Sequence, residues 1–148
     1  MAMLRGNHTA RIDDKGRLKI PSTFKRLIEE KYGKEFFVTS FTGENVWIYP
    51  LPEWESIEQR LLILPMLDVS KRKFLERTNF FGQQTEIDLQ GRVLIHSLLR
   101  KSAQLVGDVV VLGSFNYLEV WEIDKFQQKL NDEPFTEEDI LSLARVGI

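Results

Sequence analysis

The sequence predicts an α+β protein made of two related halves, and three observations support this prediction. A turn motif, Asp-x-x-Gly-Arg, occurs at Asp13 and returns seventy-five positions later at Asp88. A short run of alternating apolar and polar residues follows each motif, as in a β-strand, and leads into a helix. Two further strand segments, 46–49 and 118–121, keep apolar residues in register and also precede helices. Each half therefore has the order β-hairpin, helix, β-hairpin, helix.

The repeated motif has the chemistry of a tight turn between two strands. The Asp side chain caps such a turn, and Gly16 or Gly91 accepts the positive φ that a short loop requires. Arg17 and Arg92 then leave their turns at equivalent positions. One interpretation is that each Asp merely pairs with its own Arg and stiffens the turn. The recurrence of the motif with the same downstream pattern instead favours a duplicated working unit.

Turn and cap signals set the bounds of the predicted elements. In the first half we expect strands at 9–12, 17–20, 35–41 and 46–49, and helices from Ser22 to Gly33 and from Pro52. A further helix begins at Asp68 and leads toward the second half. There we expect strands at 85–87, 92–95, 108–112 and 118–121, and helices at 97–104, from Asp124, and from Thr136 to Ala144. Thr136 caps the last helix, with Asp139 three residues on.

The chain has no flexible linker between its halves. Helical sequence from about Pro52 to Asn79 connects them, so we expect one intertwined domain over residues 1–148. Its parts are a first repeat at 3–64, a second repeat at 79–132 and an acidic C-terminal helix within 133–148. Four short strands in each half are too few for a stable sheet, so the repeats should complete one another's core. We expect the three tryptophans to belong to that core.

Composition excludes several classes of protein. The 148 residues contain no cysteine, which excludes disulfides, thiolate metal sites and thiol nucleophiles. The N-terminus lacks the apolar segment of a signal peptide, and no run approaches the ~18 apolar residues of a membrane span. We therefore expect a cytoplasmic protein without a membrane segment.

The charges are arranged in blocks of alternating sign, although the net charge is only −2. Residues 1–34 hold nine Lys and Arg against four Asp and Glu, and residues 69–101 hold seven against three. Residues 35–68 and 119–148 are acidic. Each basic block contains one copy of the turn motif, so a localised surface for a polyanion is compatible with a mildly acidic protein.

The sequence contains no recognisable catalytic or metal-binding constellation. His8 and His96 are the only histidines, and neither belongs to an HxxxH or HExxH spacing. Asp13 and Asp14 are adjacent, so their side chains diverge and do not form an acid–base pair. There is also no Gly-rich phosphate loop and no Gly-x-Ser-x-Gly. We expect no enzyme activity, no cofactor, no metal and no small-molecule substrate.

Contact with DNA is the chemistry that the basic residues favour. Lys15, Arg17 and Lys19 are predicted on the first turn and on one face of the strand after it, and Arg92 occupies the second copy. Arg11, just before the first turn, completes the candidate set. Arg offers bidentate donors to phosphates and guanine edges, and a β-ribbon fits the major groove. The alternative is a non-DNA oligomeric scaffold or inhibitory module whose charged turns dock an acidic protein.

Four segments resemble the MraZ family across nearly the whole chain. They are Met-Leu-Arg-Gly at 3–6, Ile-Asp-x-Lys-Gly-Arg-Leu-x-Ile-Pro at 12–21, Trp-Ile-Tyr-Pro-Leu-Pro-Glu-Trp at 47–54 and Asp-x-x-Gly-Arg-Val-Leu-Ile at 88–95. The resemblance implies a double-split β-α-β fold related to the AbrB-like swapped-hairpin transcription factors. It also implies a ring-shaped homo-oligomer that binds repeated promoter sites of the division and cell-wall gene cluster, mostly as a repressor, in the nucleoid.

The resemblance assigns the family's two motif boxes to particular residues of this chain. Asp13 and Arg17 form the first box, with Lys15 at its basic position, and Asp88 and Arg92 form the second. The second box has Gln90 in place of a Lys, and His96 stands where the first half has Pro21. We therefore expect the first box to contribute more to DNA binding. Met1 and Ala2 precede the position at which the family usually starts.

Overall fold

The computed structural model describes residues 3–148, so Met1 and Ala2 lie outside the described residues. Within that range the chain forms eight strands and six helices. The strands are β1 (Asn7–Arg11), β2 (Arg17–Lys19), β3 (Glu35–Thr39), β4 (Val46–Pro50), β5 (Gln83–Glu86), β6 (Arg92–Leu94), β7 (Asp108–Ser114) and β8 (Tyr117–Glu122). The helices are α1 (Ser22–Tyr32), α2 (Leu51–Leu61), α3 (Val69–Phe80), α4 (Ser97–Ser102), α5 (Ile123–Asp132) and α6 (Glu137–Ala144). None of these helices is long and apolar enough to cross a membrane.

Six strands form one antiparallel sheet in the order β1-β7-β8-β4-β3-β5. Equivalent strands of the two halves occupy mirrored positions, with β1 and β5 at the edges and β4 and β8 at the centre. An approximate two-fold axis therefore passes between β4 and β8. The remaining strands, β2 and β6, pair in a separate antiparallel ribbon.

The first hairpin of each half differs from the prediction. Ile12 and Leu18 make a single bridge across the first turn, and beyond it the two strands separate. β1 pairs with β7, and β2 pairs with β6, so both partners come from the second half. β5 likewise pairs with β3 of the first half. The separation allows Leu18 to be fully buried while β1 remains in the large sheet. The predicted ladder within each of these hairpins is therefore wrong.

The main core lies between the large sheet, the ribbon and helices α1 and α4. Phe24 and Ile28 of α1, Leu99 of α4 and Ala103 directly after α4 are buried in it, at positions that the seventy-five-residue offset makes equivalent. The ribbon and the central strands contribute the other large buried residues. This shared cluster confirms the expectation that the two halves complete one core.

The opposite face of the sheet is covered by α2 and α3. Trp54 of α2 lies over the sheet, with its ring 4.8 Å from that of Phe37 and 5.9 Å from that of Phe74 on α3. Trp54 and Trp121 are buried, as predicted, whereas Trp47 is half-buried.

Local cap signals agree closely with the structure. Asp68 caps α3 by accepting a hydrogen bond from the backbone N–H of Lys71 at 2.8 Å. Thr136 and Asp139 form a complete capping box at the start of α6. The helix that begins at Ser97 ends at Ser102, two residues before the predicted end. These bounds depend on interactions within a few residues, which is why the sequence anticipates them well.

Candidate nucleic-acid interface

The ribbon brings the two motif turns to opposite ends of one small structure. Its register pairs Arg17 with Leu94, Leu18 with Val93 and Lys19 with Arg92. Two backbone bonds extend the ladder symmetrically, from Ile20 N–H to the Gly91 carbonyl and from Ile95 N–H to the Gly16 carbonyl, each 2.9 Å. Each strand therefore ends against the turn of the other half.

Alternation along the ribbon separates a core face from a charged face. Leu18 and Val93 are 0% exposed and lie under the ribbon. Because successive side chains of a strand point to opposite faces, Arg17, Lys19 and Arg92 share the other face. Leu94, 44% exposed, lies among these three cations. Burial of two apolar residues thus determines which side presents the positive charge.

One carboxylate organises each turn, as the first turn shows. Asp13 Oδ1 accepts hydrogen bonds from the backbone N–H groups of Lys15 at 3.0 Å and Arg17 at 2.8 Å. The other oxygen, Oδ2, accepts a bond from Arg17 Nε at 2.9 Å. A single side chain therefore closes the turn and also orients the arginine that follows it.

The second turn repeats this arrangement bond for bond. Asp88 Oδ1 accepts from the backbone N–H groups of Gln90 and Arg92, both at 2.9 Å, and Oδ2 accepts from Arg92 Nε at 3.0 Å. The local Asp–Arg pairing considered from the sequence is therefore present in both copies. It accompanies a shared charged face, so the pairing and a working surface are not exclusive alternatives.

The carboxyl groups of Asp13 and Asp88 both have a pKa below the ordinary value of 3.8. For Asp13, the largest cause is the hydrogen bond from the backbone N–H of Arg17, and the Arg17 guanidinium lowers the pKa further. The corresponding groups of Arg92 lower the pKa of Asp88. Both turns therefore hold ion pairs at neutral pH.

The two boxes also contact one another directly. Arg92 Nη1 lies 3.6 Å from Asp13 Oδ2, so this carboxylate faces guanidinium groups of both halves. The side chains of Arg17, Arg92 and Asp13 are each about a quarter to a third exposed. Such partial burial limits their motion while leaving part of each guanidinium accessible.

The chain is similar to known proteins along nearly its whole length. A family model described as "MraZ protein, putative antitoxin-like" matches residues 3–77 and 81–143. The chain belongs to the MraZ family. A protein of Acidobacterium capsulatum named "Transcriptional regulator MraZ" is 51% identical over 146 residues, covering 99% of this chain and 100% of the relative. A protein of the same name from Koribacter versatilis is 46% identical over 147 residues, with the same coverage.

The remaining predicted residues of this MraZ chain lie around the ribbon. Lys15, in the first turn, and Lys19, on the ribbon, are exposed. Arg11 is exposed at the end of β1 and pairs with Asp108 of β7, with 2.7 Å between Arg11 Nε and Asp108 Oδ1. Arg11 and Lys19 also line one open groove of about 480 Å³. Arg11 is therefore near the charged face, but a neighbouring carboxylate compensates its charge.

Two basic residues of helices beside the ribbon were not among the predicted site residues. The Arg100 side chain of α4 covers Gly16, and its Nε donates a hydrogen bond to the Ile95 carbonyl at 2.7 Å. The methylene stem of Lys25 on α1 lies over Gly91, 3.2 Å from an added Cβ, while its Nζ lies 3.4 Å from Glu29 Oε1. Each helix thus places a long basic side chain over the turn glycine of the other half. The signal was present in the sequence, because the seventy-five-residue offset makes Lys25 and Arg100 equivalent.

The two histidines of this MraZ chain take part in packing. His8 contacts the ring of Phe24 edge-on, with 5.0 Å between the ring centres. His96 Nε2 lies 2.7 Å from the Phe81 carbonyl oxygen. Among residues 3–148, no group of three or more His, Asp or Glu side chains is placed to hold a metal ion.

Proposed function

We propose that this protein is a DNA-binding transcriptional regulator that contacts DNA through the exposed face of the β2–β6 ribbon. The observation that carries the proposal is the alignment of Arg17, Lys19 and Arg92 on that face. The relatives in Acidobacterium capsulatum and Koribacter versatilis bear the name of a transcriptional regulator, which supports it. Lys15 extends the contact at the turn, and Arg11 flanks it.

The chemistry of the tethered arginines suits this role. The bond to Asp uses only one of the five N–H donors of a guanidinium, which leaves others for phosphate or for guanine O6 and N7. A tethered side chain loses less conformational entropy when it binds a partner. A two-stranded ribbon is also narrow enough to enter the major groove.

The finer features of the proposal come from the family. The protein would act as a repressor of the division and cell-wall gene cluster, at repeated promoter sites, within the cytoplasm and nucleoid. We infer that residues 1–148 form one domain of the double-split β-α-β type, with repeats at 3–64 and 79–132 and an appended acidic segment at 133–148. A ring-shaped homo-oligomer would present several ribbons to successive sites, and linked weak contacts then gain avidity.

A gel shift or anisotropy titration with the DNA upstream of its own gene tests the proposal. Competitor DNA distinguishes specific from general binding. We expect Arg17→Ala to weaken binding by ~1–3 kcal/mol for each arginine–base pairing that it removes, or roughly 5- to 150-fold, with fold and assembly unchanged. Arg60→Ala is the matched control, because Arg60 is an exposed arginine of α2, on the other side of the sheet. Wild-type affinity in a folded Arg17→Ala protein would contradict the proposal.

The same assay compares the two boxes. Gln90 replaces the lysine of the first turn, so we expect Arg92→Ala to reduce affinity less than Arg17→Ala does. Equal losses at matched stability would show that the boxes contribute alike. Specific capture of an acidic protein without DNA binding would instead support the alternative, a non-DNA scaffold or inhibitory module. Leu94, which is exposed between the cations of the ribbon, favours that alternative because it could contact an apolar residue of a protein partner.

A further inference from the structure

The C-terminal segment forms a helix that is exposed along its whole length. Every residue from 133 to 148 is exposed, including the whole of α6. Ile140, Leu141 and Ala144 lie on one side of this helix, and Leu141 is 71% exposed. A capped helix with an uncovered apolar side is suited to docking on another surface.

An open groove of about 510 Å³ on α3 offers such a surface. Lys73, Glu76, Arg77 and Phe80 line it at the i, i+3, i+4, i+7 positions of one helix face, together with Phe81. Phe80 is 63% exposed, and its ring meets that of Phe81 edge-on at 5.1 Å. The groove thus combines an uncovered aromatic floor with charged walls.

The two surfaces carry opposite charge. Helix α3 has four cations, Lys71, Arg72, Lys73 and Arg77, against the single carboxylate of Glu76. Residues 136–148 have three carboxylates, from Glu137, Glu138 and Asp139, against the single cation of Arg145, while Glu133 pairs with Lys129 at 2.6 Å. Within residues 3–148, none of the α3 charges takes part in an ion pair. Charge and apolar pattern therefore complement each other.

We propose that α6 of one copy docks in the α3 groove of a second copy. An amphipathic helix commonly places its apolar face in a hydrophobic groove, with anchors at i, i+3, i+4 and i+7. Each copy would carry both the helix and the groove, so the contact joins two different surfaces. Repeated contacts of this kind close into rings when the rotation permits. The inference rests on the self-association within the proposed function and is independent of DNA binding.

Charge reversal tests the contact in the full-length protein. Lys73→Glu with Arg77→Glu reverses the charge of the α3 groove, and Glu137→Lys with Glu138→Lys reverses the charge of α6. We expect light scattering to give a lower mass for either pair alone and the wild-type mass for all four changes together. Arg26→Glu with Lys31→Glu on α1 is the control, which should leave the mass unchanged. An unchanged mass after groove reversal would overturn the proposal.

Cysteine cross-linking supplies a test that does not depend on the stability of α6. The chain has no cysteine, so Phe80→Cys protein can be mixed with Leu141→Cys protein under mild oxidation. We expect a cross-linked dimer to form faster than with Leu62→Cys, an exposed control on the segment after α2. A rate equal to the control would overturn the proposal. A cross-link within a single chain that carries both Phe80→Cys and Leu141→Cys would also overturn the proposal.

Binding to a short DNA with one operator site separates the proposed α6–α3 contact from the proposed DNA-binding function. The groove-reversed protein should still bind that site, since its ribbon is unaltered. If neither the groove-reversed protein nor the wild type binds DNA, the proposed function fails. The mass and cross-linking results still show whether α6 docks in the α3 groove of a second copy.

Discussion

At the scale of single residues, the hydrogen bonds of Asp13 and Asp88 explain why the repeated motif combines an aspartate with an arginine four residues later. One oxygen of each carboxylate accepts two backbone N–H bonds, and the other accepts the arginine Nε. Asparagine would preserve an acceptor for the backbone but would lack the charge that holds the guanidinium. Aspartate side chains also favour turns of this kind, because they reach the backbone two residues on.

The lowered pKa of Asp13 makes acid stability the first prediction at this scale. The folded pKa lies below 3.8, so its stabilising contribution is present above that value and is lost as the pH falls through the folded pKa. We expect Asp13→Asn to lower stability at neutral pH and to flatten the loss of stability on acidification. Urea unfolding from pH ~7 to ~3 measures both effects.

Asp14→Asn is the control for this comparison. Asp14 is the exposed neighbour of Asp13, and the hydrogen bonds that close the turn go to Asp13 instead. Its substitution should leave the acid dependence close to that of the wild type. If Asp13→Asn gave the same pH profile as Asp14→Asn, the carboxylate would have no special role in the turn.

At the scale of elements, the turns depend on contacts with the helices of the opposite half. Gly16 has a φ of +84°, and a Cβ added there would lie 2.6 Å from Arg100 Nε. Gly6 has a similar φ of +87°, but nothing lies within 4 Å of an added Cβ. A comparison of substitutions at the two glycines therefore distinguishes the cost of backbone strain from the cost of crowding by the α4 side chain.

We predict that Gly16→Ala destabilises the protein more than Gly6→Ala does. Both substitutions place a Cβ in the left-handed region, at a cost of about 1–2 kcal/mol. Gly16→Ala must also displace Arg100 and its bond to the Ile95 carbonyl, which adds about 1 kcal/mol. The free energies of unfolding in urea give the comparison. Equal losses would mean that Arg100 moves aside without cost.

At the scale of the whole molecule, exchanged strands make the two halves interdependent. β1 and β5 each pair with a strand of the other half, and the ribbon takes one strand from each. The charged face therefore exists only when both halves are folded together. Because the charged face lies on one side of the folded domain, several copies can present their ribbons side by side.

The last prediction concerns that assembly and its dependence on salt. Light scattering should give a mass several times 17.3 kDa. Each phosphate that the protein neutralises adds about −0.9 to the slope of log affinity against log salt. DNA with several operator repeats should therefore show a steeper slope than DNA with one repeat. A 17.3 kDa monomer with the same slope on both DNAs would contradict the assembly.

Local interactions allowed the sequence alone to determine much of this protein. The turns at Asp13 and Asp88, the caps at Asp68 and Thr136, and the α+β order of elements follow from contacts within about four residues. The seventy-five-residue repeat and the burial of Trp54 were also readable. The turns and caps could be predicted because their hydrogen-bond partners lie within about four residues in the sequence.

The sequence predicted the β3–β4 and β7–β8 hairpins, but only the tertiary structure decided the partners of β1, β2, β5 and β6. Alternation in 17–20 determines which side chains face the core, but any antiparallel partner satisfies such a strand. Burying Leu18 against Val93 selects the partner from the other half, seventy-five residues away. That choice brings Arg92 within 3.6 Å of Asp13 and places Arg100 over Gly16. The composition of the candidate site therefore depends on long-range packing, which no local pattern encodes.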